Sequence, residues 1–285
     1  MKSKLLRWLL VSILLLAVCI PAYKWNRSNI TRLRNAGKTQ MAPIIMVPGS
    51  SATQNRFDSL IAELGQEAPD HHSVLKVVVK TDGKITTSGV VRHNDNQPFI
   101  VVSFENNKDG KENIDKQALW LNLAFKQLVS TYHFNHFSAL GHSNGGLILS
   151  LFFERYLQQT PSVRVDKFMT IATPYNGTST STSYKTAIFK ELYDYREGLP
   201  ESLTMYSVAG TENYTSDGTV PYNSVNFAKY IFQGEIKSFT EITVTGANTA
   251  HSDLPQNKQI VSLIGQYILR ENFPRGGGGK IGQDR

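Results

Sequence analysis

The chain has one cysteine among its 285 residues. That residue, Cys19, lies in an apolar N-terminal run, so the rest of the chain can form no internal disulfide and must be held together by packing. Metal-ligand spacing is also missing. No cluster of His, Cys or carboxylates reads as a metal centre, and neither a catalytic metal nor another cofactor is expected. Internal repeats are absent. The net charge is +7, from 30 Lys and Arg against 23 Asp and Glu. No nucleic-acid-binding module accompanies that charge, so nucleic acid is not expected as a partner.

Long apolar runs are scarce. The uncharged stretch from Trp8 to Tyr23 is shorter than the roughly 20 residues that span a bilayer, and it follows Lys2, Lys4 and Arg7 as an export signal does. No Ala-x-Ala cleavage pattern follows, and Leu16-Ala17-Val18-Cys19 only approximates a lipoprotein box. An uncleaved membrane anchor is therefore favoured over a cleaved signal in residues 1–23. Residues 24–41 carry Lys24, Arg27, Arg32, Arg34 and Lys38 and read as a basic linker, with a surface that would favour anionic lipids or wall polymers. The glycine run at 276–279 marks 272–285 as a flexible tail.

What remains, 42–271, is a plausible length for one domain, and a 40% hydrophobic content supplies a full core. Its apolar runs alternate as strand and helix. Strands are expected at 44–47, 74–81, 84–91, 98–104, 137–140, 168–172, 205–210 and 242–246, the second and third joined at the Asp82-Gly83 turn. Helices are expected around Asn55–Leu64, Ile114–Val129 and Gly146–Leu157. This order predicts an α/β fold with a mostly parallel sheet flanked by helices. Residues 175–203 fit the alternation poorly. They begin with a Ser/Thr run and continue into a helical piece with Ile188, Leu192 and Tyr193 on one face, so they read either as a small cap over the site or as a surface connection.

The chemistry is carried by Gly141-His142-Ser143-Asn144-Gly145. Gly-x-Ser-x-Gly between an apolar strand and an apolar helix is the pattern of a nucleophile elbow, a turn tight enough that glycines must flank the serine. Ser143 is the candidate nucleophile. Such a serine needs a general base, and with the chain order Ser, acid, His the base must follow it. Six of the seven histidines precede Ser143, leaving His251. It stands in a loop after the expected strand 242–246, at the sheet end where open α/β sheets place their ligands. Asp217, in the turn-rich stretch after 205–210, is the candidate acid that would hold the useful His251 tautomer; Asp253 and Glu212 are alternatives. The oxyanion donors are expected to be the N–H of Ser50, with Ser51 next, in the loop after strand 44–47, and the N–H of Asn144 at the start of the following helix.

On Ile44-Ile45-Met46-Val47-Pro48-Gly49, the elbow, Ala172-Thr173-Pro174-Tyr175-Asn176-Gly177, Ser216-Asp217-Gly218-Thr219-Val220-Pro221 and Ala250-His251, the chain resembles the α/β-hydrolase superfamily. Within it, the likeness over 42–271 is to the branch described as candidate extracytoplasmic hydrolases of Gram-positive bacteria. Pro48-Gly49 stands where many lipases have His-Gly. The resemblance implies a serine esterase or lipase-like enzyme at the bacterial cell surface, membrane-anchored or secreted, acting on a small-molecule or lipid-like ester. Acyl transfer by the same residues, or a binding module on a retained hydrolase fold, are the competing readings.

Overall fold

A computed structural model describes residues 17–21, 41–67 and 72–269. The expected anchor, basic linker and tail lie outside the described residues apart from 17–21, a helical turn carrying exposed Cys19, and Met41. Among the described residues no helix is long and apolar enough to cross a membrane. The residues before Met41 form a unit of their own.

From Met41 onward the chain builds an eight-stranded sheet. Its strands are β1 (Ile44–Val47), β2 (Val74–Val79), β3 (Ile85–Gly89), β4 (Phe99–Phe104), β5 (His136–His142), β6 (Arg164–Ile171), β7 (Thr204–Thr211) and β8 (Ser238–Thr245). The spatial order is β3-β2-β4-β1-β5-β6-β7-β8, parallel throughout except for the β2–β3 hairpin. Helices α1 (Asp58–Glu67), α2 (Lys111–Tyr132), α3 (Asn144–Arg155), α4 (Ala187–Tyr195), α5 (Tyr222–Asn226), α6 (Ala228–Phe232) and α7 (Lys258–Tyr267) connect and cover the strands.

Central strands β1 and β4 are buried at every residue, as befits parallel strands covered on both faces. Alternate side chains enter two cores. Ile45, Val47, Ile100 and Val102 join the core that also holds apolar residues of α2, α3, α4 and α6, whereas Ile44, Met46, Phe99 and Val101 face that of α1 and α7. The first core is dense in phenylalanine: Phe125 has the rings of Phe137 and Phe152 each 5.0 Å away, centre to centre. Each such buried ring contributes about 1.5–3 kcal/mol through lost water contact.

Helix α4 is where expectation and structure part. It is the crossover between β6 and β7, so 175–203 restores the strand–helix alternation. Ile188 and Leu192 do not overhang Ser143 as a cap; with Phe189 they are buried in the core shared with α3. Tyr193 stays at the surface, stacked on Phe189. Ion pairs from Lys111 and Arg155 to Glu191 tie the same helix to α2 and α3.

Candidate functional site

Ser143 sits at the C-terminal end of β5, immediately before α3, with φ 55° and ψ −132°. A non-glycine residue in this region stores on the order of 1–3 kcal/mol of strain and persists only where its surroundings fix it. Here its N–H donates to Ile171 O at 2.9 Å, and its carbonyl accepts from Gly146 N–H and Thr173 Oγ1, both at 3.0 Å. Gly145 allows the close approach: a Cβ there would fall 2.0 Å from Val47 O. The turn leaves Ser143 partly exposed above the sheet, while His142 and Asn144 on either side are buried.

Asp217 and His251 come from the loops after β7 and β8. Asp217 Oδ2 lies 2.7 Å from His251 Nδ1, and its Oδ1 accepts from the N–H groups of Thr219 at 3.0 Å and Val220 at 2.7 Å. The His251 N–H in turn donates to Asp217 O at 2.9 Å, so backbone and side chain both fasten the two loops. With Nδ1 donating to the carboxylate, Nε2 is the nitrogen left to accept a proton. No hydrogen bond joins Ser143 Oγ to His251 among the described residues; such pairs often close only when substrate tightens the site. The alternative acids lie elsewhere. Glu212 is exposed, and the charge of Asp253 acts on Arg56, which donates to Ser252 O at 2.6 Å.

His142 links the elbow to this pair, a contact that sequence reasoning missed. Its ring centre is 4.8 Å from that of His251, and its Nε2 bonds His251 O at 3.1 Å. Burial, then the nearby His251 and Arg56 charges, holds its pKa well below the ordinary imidazole value, so His142 is neutral and donates from Nε2. Its position next to Ser143 in the Gly-x-Ser-x-Gly pattern was the available signal.

Of the expected oxyanion donors, the loop after β1 passes against Ser143: a Cβ on Gly49 would sit 2.6 Å from Ser143 Cβ and 3.1 Å from its Oγ. Ser51 N–H is engaged by Asn107 O at 2.7 Å, which removes it as a donor. Ser50 N–H and Asn144 N–H have no protein acceptor among the described residues. The sequence did not foretell the side-chain network beside them. Asn144 Nδ2 donates to Ser50 Oγ at 2.7 Å and to Asp109 Oδ1, on the β4–α2 loop, at 2.6 Å. Nothing in the local pattern around Asp109 announces this long-range contact.

Known proteins share this architecture. A crystal structure of a protein described as a candidate cell-surface hydrolase from Lactobacillus plantarum is 75% identical, with a TM-score of 0.75 over 80% of this chain and 92% of that one. A structure from Listeria innocua, 24% identical, matches with a TM-score of 0.71 over 80% of this chain and 93% of that one, and shows the same fold. Comparison with curated proteins gave no match. The model of one family, described as alpha/beta hydrolase of unknown function (DUF915), matches residues 32–271, and the chain belongs to that family.

Proposed function

We propose that this protein hydrolyses carboxylic esters through an acyl-enzyme formed on Ser143. In that reading Ser143 Oγ attacks the ester carbonyl as its proton passes to His251 Nε2, and the carbonyl electron pair moves onto oxygen. Asp217 holds the imidazole in the required tautomer and stabilises the imidazolium. The N–H groups of Ser50 and Asn144 receive the oxyanion. Collapse expels the alcohol, which takes the proton from His251, and water repeats the sequence to release the acid. The observation that carries the reading is the 2.7 Å Asp217–His251 bond, on loops adjoining an elbow whose serine is held at φ 55°.

An extracytoplasmic site of action, membrane-anchored or secreted, accords with the basic and apolar N-terminus and with the description of the Lactobacillus relative. The preferred substrates are soluble esters of short or medium acyl chains, because the apolar face of α4 is engaged by the core and offers no wide lid to lipid. Turnover of p-nitrophenyl esters tests the nucleophile and the acyl preference. Ser143→Ala should lower kcat by about a thousandfold or more; activity above a hundredth of wild type would refute the nucleophile. A rate maximum at the longest chains, rising where they aggregate, would refute the preference.

A further inference from the structure

Ser50 has a side chain as well as an N–H beside the nucleophile, and its hydroxyl is oriented. Asn144 Nδ2 donates to both Ser50 Oγ and Asp109 Oδ1. A carboxylate oxygen only accepts, so the contact with Asp109 fixes which end of the Asn144 amide points this way. Ser50 Oγ is thereby the acceptor, and its own proton must point away from Asn144. No protein acceptor takes that proton among the described residues. The preceding residue, Gly49, packs against Ser143 so closely that a Cβ would come within 3.1 Å of Ser143 Oγ. An unengaged, oriented O–H donor therefore sits on the residue that follows the glycine packed against Ser143, the residue whose N–H is already assigned to the oxyanion.

We propose that Ser50 Oγ–H is a third donor to the oxyanion, and that Asp109, acting through the Asn144 carboxamide, is the positioning residue that aims it. The inference rests on Ser143 being the nucleophile. Its chemical logic is that the charge appears on the former carbonyl oxygen only as Ser143 Oγ bonds to carbon. A donor fixed in advance strengthens its bond at that moment, so its loss should act on kcat far more than on KM. The β4–α2 loop is braced for the task. Asp109 Oδ1 also accepts from Gly110 N–H at 2.6 Å, and Gln117 Nε2 on α2 donates to Asn106 O at 2.8 Å.

Ser50→Ala keeps the backbone N–H and removes only the hydroxyl. Expected is a loss in kcat on the order of a hundredfold, of the size seen when one oxyanion donor is deleted, with KM within about threefold and labelling of Ser143 by a fluorophosphonate slowed in parallel. Ser50→Thr, which restores a hydroxyl, should recover most of the rate. Asp109→Ala should lower kcat by a smaller factor and Asp109→Asn, whose Oδ1 still accepts, by less again. In the Ser50→Ala background Asp109→Ala should have no further effect, because its action runs through the hydroxyl. Wild-type kcat in Ser50→Ala overturns the third donor; an undiminished Asp109→Ala effect in that background overturns the relay. Failure of the wild-type protein to be labelled at Ser143 would instead overturn the underlying ester-hydrolase reading.

Discussion

Two carboxylates are buried in this molecule to nearly the same degree, Asp217 at 2% and Glu154 at 5% exposure, and their surroundings treat them oppositely. Asp217 lies in a loop that wraps its oxygens in donors: two backbone N–H groups and the His251 ring. Glu154 lies on α3, the helix that follows the elbow, and neither of its oxygens has a hydrogen-bond partner among the described residues. Burial pushes its pKa well above the ordinary carboxyl value, Arg155 opposes the shift and Glu191 adds to it. Burial alone therefore does not make a charge useful. An acid at the base of a proton-transfer pair needs donors that favour its charged form, whereas one without them takes up a proton and becomes a neutral part of the core.

The widest separation between the two should appear on mutation to the amide. Asp217→Asn is expected to lower kcat by about 10⁴-fold, because an amide in that place favours the wrong His251 tautomer, while circular dichroism and Tm show the fold retained. Glu154→Gln should leave kcat within about threefold of wild type, since no atom of Glu154 enters the proposed reaction. A crippling Glu154→Gln with a mild Asp217→Asn would reverse the assignment.

Stability against pH sharpens the contrast from the other side. Glu154 has a folded-state pKa raised above its unfolded value, so the native state holds the extra proton and stability falls as pH rises from the ordinary carboxyl range toward the raised value. The slope within that window is about 1.4 kcal/mol per pH unit for one group. Glu154→Gln cannot ionise, and its urea midpoints at pH 5 and pH 8 should differ less than those of wild type, with the variant the relatively more stable at pH 8. A wild-type slope unchanged in the variant would show that Glu154 is not the group responsible. The smallest effect is expected at the alternative acid: Asp253→Asn should change kcat by no more than a few fold, and a loss matching that of Asp217→Asn would transfer the acid's role to Asp253.

How much could be read beforehand follows the range of the interactions. Strand β1 was legible as an unbroken apolar run and β4 as one interrupted only by Ser103, because both their faces are covered. The edge strand β8 begins at Ser238, ahead of the expected Ile242, because Ser238–Glu241 pair with Thr204–Ser207 while carrying few apolar side chains. Helix α1 begins at Asp58 instead of Asn55 because Thr53 O and Asn55 O accept turn hydrogen bonds from Arg56 and Asp58. At the candidate site, Ser143, Asp217 and His251 can be picked out by chain order and turn chemistry, and the fold joins Asp217 to His251. The Asp109–Asn144–Ser50 network and the His142–His251 contact join residues 35 to 109 positions apart, and only the folded sheet brings them together. The apolar face of α4 left cap and connection both open for the converse reason: a helix face that covers a pocket and one that packs on a core have the same sequence period.

The most direct test of the account is the site of covalent capture. Purified protein treated with a fluorophosphonate and mapped by peptide mass spectrometry should carry one adduct, on Ser143, and Ser143→Ala should carry none. An adduct on another residue with Ser143 unmodified, or undiminished labelling of Ser143→Ala, would contradict it.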